Sequence, residues 1–262
     1  MILEVNVGVA GTKMFPDRRL FHLSDADGER QMVYLVWMLR YANRLVLVDT
    51  GFPARVAVEH GIDNHVPTAD LLTQAGVSIA DVDDVIVSHF HYDHFSAPGD
   101  FPRATFHIQR DEIEYWTGRG RDHPVSILSD AASLAGLPAL IDAGRIHVID
   151  GGVCDIGNGL KLLRVGGHTP GSQITVLDHG DSPVVFACDA SHTYDNLARR
   201  TPAGSIHNYD EYQRGFATIE ALAVGGVWFP GHDSTILDRL DQIGPATFRL
   251  GLKNTASMEE RS

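Results

Sequence analysis

The sequence predicts an α/β or α+β protein in which two β-sheets pack face to face, with helices outside and a metal site along one rim. Three observations predict it. Short apolar runs of strand length come in two sets, with helical segments between and after them. Residues able to bind metal stand where those runs stop. They come from four separate places: His89, His91, Asp93 and His94 in Ser-His-Phe-His-Tyr-Asp-His at 88–94, His168 in Gly-Gly-His-Thr-Pro-Gly, Asp189 in Cys-Asp-Ala, and His232 in Pro-Gly-His-Asp.

The elements follow in order. Met1-Ile2-Leu3-Glu4-Val5-Asn6-Val7 reads as a first strand and lacks the basic region and apolar stretch of a signal peptide. Apolar runs at 32–39 and 45–48 flank Tyr41-Ala42-Asn43-Arg44, which makes a hairpin ending in the loop Asp49-Thr50-Gly51. A capped helix starts at Thr68 and stops at Gly76. A short buried strand at 85–87 leads straight into the histidine cluster. A strand at 104–108 and a helix at 110–116 come next. Residues 117–144 carry Gly118, Gly120, Pro124, Gly136 and Pro138, so they are expected to form an excursion beside the site, with one short apolar helix between the earlier breakers and the last two. Strands recur at 145–149, 160–165, 173–177 and 184–188. A helix at about 210–223 precedes the strand 227–229, which Pro230-Gly231 ends so that His232 is presented.

A chain of 262 residues, 44% of them hydrophobic, can bury a full core, and one domain over 1–262 is expected. The net charge of −13 repels phosphate backbones, which argues against a nucleic-acid partner. Bound cations would offset part of that excess. Cys154 and Cys188 are far apart and indicate no disulfide framework; both read as small buried hydrophobes. Neighbours on a strand face opposite sides, so if Asp189 points at metal, Cys188 points away. No apolar run reaches membrane-spanning length, which leaves a cytoplasmic address and no membrane partner as the expectation.

Five imidazoles and two carboxylates are too many for one four-coordinate ion and suit two ions close together, which make a hydroxide nucleophile at neutral pH. On a loop, His89 and His91 can aim at one point while Asp93 and His94 turn to a second; on a helix, residues two apart diverge. Phe90 and Tyr92 are expected to pack behind the loop and hold its shape. Histidine and aspartate suit zinc, iron, cobalt or manganese, and two divalent ions, with zinc preferred, are the expected cofactors.

These motifs, with Asp49-Thr50-Gly51, resemble the metallo-β-lactamase superfamily over nearly the whole chain. Within it, the stretches at 85–94, 167–173 and 229–233 most resemble the N-acyl-homoserine lactone lactonases. The resemblance implies a four-layer αββα sandwich of two mixed sheets with helices outside. It implies that His89, His91 and His168 hold one metal, that Asp93, His94 and His232 hold the other, and that Asp189 and a hydroxide bridge them. Asp49 would orient a ligand or loop from behind. A homodimer also fits the resemblance. One position departs. The lactonases carry a tyrosine three residues after the bridging aspartate, whose hydroxyl assists the substrate carbonyl and ring oxygen. Here that position is His192, and Tyr194 lies two residues further on. A neutral imidazole can donate a hydrogen bond, and a charged one can protonate a leaving group.

The expected catalytic residues are therefore Asp93, as ligand and proton shuttle, with His192 or Tyr194 as donor to the substrate. Ser88 is expected to bond within its loop. Specificity is expected from the least regular segments, 11–32, 115–140 and 193–209, with Met14, Phe15, Phe21, Tyr115, Trp116, Tyr194, His207 and Tyr209 as candidate walls.

The leading expectation is a hydrolase that opens a lactone or related cyclic ester, acting on a small molecule with a hydrolysable carbonyl. Hydrolysis of a small amide or lactam, β-lactams included, is the alternative on the same centre. A thioesterase of the glyoxalase II kind usually adds a helical domain, and the stretch after His232 is short for one. A nuclease would want a basic groove and further domains, and a di-iron oxidoreductase a flavin domain. A binding protein that has kept the fold would have lost ligands, and all seven are present.

Overall fold

The computed structural model describes residues 2–41, 43–179 and 182–252. Met1 of the expected first strand and Ala42 of the expected turn lie outside the described residues. The chain opens with β1 (Ile2–Pro16) and β2 (Glu29–Tyr41), paired antiparallel along nearly their whole length and joined through the short helix α1 (Asp17–Leu20). Residues 11–16 and 29–32 are therefore the end of a long hairpin, where irregular chain was expected, and 21–28 are irregular. The hairpin's polar residues gave no strand signal, but the ladder from Gly11↔Tyr34 to Pro16↔Glu29 satisfies their backbone groups.

Next come β3 (Leu45–Val48), α2 (Ala54–His60), α3 (Thr68–Gln74), β4 (Asp84–Ile86), β5 (Thr105–Gln109), α4 (Arg110–Thr117), α5 (Ala131–Asp142) and β6 (Ile146–Ile149). The second half holds β7 (Val153–Asp155), β8 (Leu160–Arg164), β9 (Gln173–Leu177), β10 (Val184–Cys188), α6 (Tyr194–Ala198), α7 (Tyr209–Leu222) and β11 (Val227–Pro230). Then β12 (Asp241–Gln242) and β13 (Thr247–Leu250) return to the first sheet. The sheets are ordered β12-β13-β1-β2-β3-β4-β5-β6 and β11-β10-β9-β8-β7. Both are mixed: β3 to β6 pair parallel, as do β10 and β11, and the remaining pairs are antiparallel.

Side-chain alternation explains why the central strands read as unbroken apolar runs. On β2, Tyr34, Val36 and Met38 face the layer under α2, α3 and α5, packing with Val56, Leu71, Leu72 and Leu137. Val33, Leu35, Trp37 and Leu39 face the other sheet. A strand buried on both faces has no polar side to display. On β10, Val184 and Phe186 join the core between the sheets, while Val185 and Ala187 face Ile219 of α7. The layers thus run helix, sheet, sheet, helix. Trp37 ties the middle, 4.8 Å from both Phe186 and Phe229 by ring centroids.

Two further expectations change. α5 runs through both Gly136 and Pro138, because Leu137 and Leu140 bury against the core and Asp130 caps its start. Tertiary packing outweighs the two poor helix formers. β7, β12 and β13 are only two to four residues long and α2 only seven, too short to have announced themselves. Among the described residues, no helix is long and apolar enough to cross a membrane.

β3 and β4 run parallel, as do β10 and β11. β8 shares the direction of β10, since both are antiparallel to β9. The segments after these five strands carry Asp49, the 88–94 loop, His168, Asp189 and His232, and they meet at one rim of the sandwich.

Candidate metal centre

The seven residues converge in two groups. His89 Nε2 lies 3.0 Å and His168 Nε2 2.9 Å from His91 Nδ1. Asp189 Oδ2 is 3.1 Å from His168 Nε2 and 3.7 Å from His89 Nε2. In the second group, Asp93 Oδ2 is 3.1 Å from His94 Nε2 and 3.5 Å from His232 Nε2. Asp189 Oδ1 is 3.3 Å from His94 Nε2 and 3.0 Å from His232 Nε2. Ligands about 2.0–2.1 Å from a tetrahedral zinc stand roughly 3.3 Å apart, and the measured edges bracket that value. Asp189 offers one oxygen to each group. His94 Nε2 and Asp189 Oδ1 are buried without a hydrogen-bond partner, as atoms kept for a cation would be. By geometry and donor chemistry, the cluster fits two divalent ions.

The nitrogen of each ligand ring facing away from the cluster is largely accounted for. His168 Nδ1 lies 2.9 Å from Ser205 O, and His232 Nδ1 3.0 Å from Val33 O. His94 Nδ1 lies 2.7 Å from Asp49 Oδ2. His89 Nδ1 is 3.0 Å from Ser88 Oγ, which in turn donates to Asp49 Oδ2 at 3.0 Å. Asp49 Oδ1 accepts from Ser88 N at 2.7 Å. An acceptor behind a ring fixes its proton there and leaves the inward nitrogen bare. Burial and the neighbouring imidazoles lower the pKa of His89 and His91. At His94, Asp93, Asp189 and Asp49 outweigh burial and raise it.

Backbone geometry aims these groups. Asp49 and Cys188 have φ of 68° and 46°, in the left-handed region that costs a non-glycine residue about 1 kcal/mol or more. The turn sends Cys188 into the core between the sheets and Asp189 into the cluster, as strand alternation suggested. At position 231 any Cβ would lie 2.5 Å from Asp189 Oδ1, so only glycine lets β11 deliver His232 here.

Glu112 of α4 holds the ligand loops together, and its helix gave no sign of it. Its carboxylate is buried and accepts from Phe90 N (2.8 Å), Trp116 Nε1 (2.6 Å), Thr169 Oγ1 (2.7 Å) and Gly171 N (2.8 Å). Burial raises its pKa, and these four bonds work against that rise. A carboxylate inside an amphipathic helix is the only sequence signal, and it is also what a surface helix shows.

A cavity of about 410 Å³ opens above the cluster and is lined by His91, Asp93, His168, Asp189, His192 and His232 at its floor. His192 is buried and inward, its Nε2 3.3 Å from Asp189 Oδ2. With Asp189 and His232 it forms a further trio of possible donors. Burial, opposed by Asp189, lowers its pKa to about 3, which favours the neutral ring, the form that can donate one hydrogen bond. Tyr194 does not reach the cavity. It packs by the core between the sheets, and its hydroxyl donates to Trp228 O at 3.2 Å. α6 starts at Tyr194 and turns the ring away, which removes it from the candidate catalytic set.

Two other phenols stand where Tyr194 was expected. Tyr34 and Tyr92 both line the cavity; burial, then Asp93, pushes both pKa values up. Tyr92 stacks on His60 at 3.5 Å and lines the cavity, so it is a wall as well as a spacer. Of the candidate walls, Phe15 lines this cavity, and Tyr115, Trp116 and His207 line a small side pocket that shares His91 and His168 with it. Phe21 is buried beside Leu20 and Met32, while Met14 and Tyr209 are half exposed and line neither.

The family model described as Metallo-beta-lactamase superfamily matches residues 27–238. An N-acyl homoserine lactonase from a Bacillus species is 28% identical over 172 residues, covering 60% of this chain and 63% of its own length, just under two thirds. A Mycobacterium tuberculosis protein named only as a metallo-hydrolase is 28% identical over 224 residues, covering 74% and 69%. In structure, an N-acyl homoserine lactone hydrolase solved with N-hexanoyl-L-homoserine at its catalytic metal centre superposes with a TM-score of 0.76. That match has 21% identity and covers 90% of this chain and 95% of that one, and it speaks to the fold. The matched span runs through the whole donor cluster and most of both sheets, and the chain belongs to the metallo-β-lactamase superfamily.

Proposed function

We propose that this chain is a binuclear metal-dependent hydrolase that opens a lactone or related cyclic ester. The observation that carries the reading is the pair of buried donor sets that share Asp189, each within reach of one of its oxygens. The curated relatives named as N-acyl homoserine lactonases support the substrate class. His89, His91 and His168 would hold one ion, and Asp93, His94 and His232 the other, with Asp189 serving both. When bound, two such ions supply a water acidified toward neutrality and Lewis acidity toward a carbonyl; zinc suits the donors.

The chain's own residues do the rest. Asp93 lies on the cavity floor and can take the proton of the attacking water and return it to the departing alkoxide. His192 sets its Nε2 3.3 Å from Asp189 Oδ2, beside the shared carboxylate; it is a positioning residue in this reading. Tyr34 and Tyr92 line the cavity beside Asp93 and supply neutral hydroxyl donors for the substrate carbonyl or ring oxygen. They take the part that the lactonases give to the tyrosine which His192 replaces.

The test is metal analysis joined to a hydrolysis panel of lactones of several ring sizes, β-lactams, small amides and a glutathione thioester. The reading expects about two ions per chain and chelator-sensitive lactone turnover. Negligible lactone turnover beside cleavage of an amide would overturn the substrate class, and full activity without metal would overturn the centre.

A further inference from the structure

The cavity has a charged rim that the metal chemistry does not use. Arg18 and Arg19 of α1 line it and are exposed, while the donor cluster is buried at the floor. Among the described residues, neither guanidinium has an ion-pair or hydrogen-bond partner. Their neighbours differ: Arg30 is paired with Asp17 and Asp195, and Arg199 with Asp195. Among the described residues, the only carboxylates lining this cavity are Asp93 and Asp189, both within the cluster. In a chain of net charge −13, two unpaired cations at one opening are out of balance with their surroundings.

The platform beneath them is fixed. Asp17 N donates to Gly28 O, His22 N to Pro202 O and Gly204 N to Arg19 O, at 2.8–3.1 Å. Asn196 Nδ2 donates to Leu20 O at 2.8 Å, and Leu20 and Phe21 are buried against Met32. Gly204 adjoins Ser205, whose carbonyl faces the ligand His168. A rigid segment thus holds two flexible cations over the opening. Phe15, Met32 and Leu128 add apolar wall to the same cavity.

We propose that Arg18 and Arg19 form a binding site for a carboxylate carried by the substrate, set apart from the scissile carbonyl by an apolar spacer. The substrate class is then an anionic lactone or ester rather than a neutral one. This rests on the hydrolase reading above. Guanidinium is suited to the task, since its donors match both oxygens of a carboxylate and it stays charged at any working pH.

The experiment compares a lactone bearing a carboxyalkyl tail with the same lactone bearing a plain alkyl tail, on metal-loaded wild type, R18A/R19A and R18K/R19K. The expected preference in kcat/KM for the acid is about tenfold in wild type, carried in KM and shrinking with added salt. R18A/R19A should lose it and keep the rate on the alkyl lactone, and R18K/R19K should recover part. If another carbonyl class is the one turned over, the same acid-against-alkyl pair is run in that class. A failed lactone reading then shows as the wrong class, and a failed rim shows as equal rates within the pair. Calorimetric titration of metal-loaded protein with glutarate and butyrate reads the rim without turnover. Wild type should bind glutarate about tenfold more tightly, and R18A/R19A should bind both alike. Equal rates within the pair, equal binding of the two acids, no detectable glutarate binding, or an unchanged preference in R18A/R19A would each overturn the proposal.

Discussion

Glu112→Gln tests the view that one buried carboxylate ties the ligand loops of the two sheets together. Oε1 serves Phe90 N and Trp116 Nε1, and Oε2 serves Thr169 Oγ1 and Gly171 N. A glutamine keeps one oxygen. Its amide nitrogen faces least conflict on the Thr169 side, because that hydroxyl can reverse, while the Phe90 and Trp116 donors cannot. Gly171 N–H then loses its acceptor inside the protein, which costs about 1–3 kcal/mol. The remaining bonds lose their charge and roughly half their strength. A total of about 3 kcal/mol corresponds to roughly 6–12 °C in Tm for a chain of this size. Thermal unfolding of wild type and variant, each metal-loaded and chelated, measures it, and metal transfer to a competing chelator should quicken in the variant. A Tm within about 2 °C of wild type in both states would refute the reasoning.

Asp189→Asn should reduce bound metal by at least about half and lower turnover roughly a thousandfold, read by elemental analysis of dialysed protein beside steady-state rates; two ions and full rate would remove the bridge. Tyr34→Phe and Tyr92→Phe should each lower kcat/KM about ten- to a hundredfold with metal content unchanged, while Tyr194→Phe stays within about twofold; kinetics on matched, metal-analysed samples decides. Asp84 sits under Arg44 and His107, and despite burial these two hold its pKa down at about 2, below the ordinary value near 3.9. A carboxylate depressed in the fold contributes stability above its unfolded pKa and loses it as pH falls through the folded one. Thermal unfolding should therefore weaken between about pH 4 and pH 2 in wild type and show a shallower slope there in Asp84→Asn.

The donor cluster could be read from sequence because its residues have metal chemistry in their side chains and stand directly after strands. The core strands could be read because apolar runs survive burial on both faces. What lies behind the cluster could not. Val33 and Ser205 act through carbonyls, which every residue has, and Glu112 occupies a helix whose pattern also suits a surface. Tyr92 looked like a spacer because position in a loop does not reveal which side of a ring meets a cavity. Tyr194 was placed by proximity in sequence, and the start of α6 reversed its direction. The hairpin end at 11–16 and 29–32 depends on pairing between strands, and its polar residues carried no period to show it.

Backbone bonds hold α1 at the cavity mouth, and such bonds are indifferent to the side chains above them. Residues 18 and 19 can therefore change identity without unseating the segment, whereas almost any change at 33–39 meets close packing on one face or the other. The molecule divides into a spine that tolerates little and a rim that can be rewritten, so related chains could acquire new preferences by altering two exposed positions while the cage beneath stays as it is.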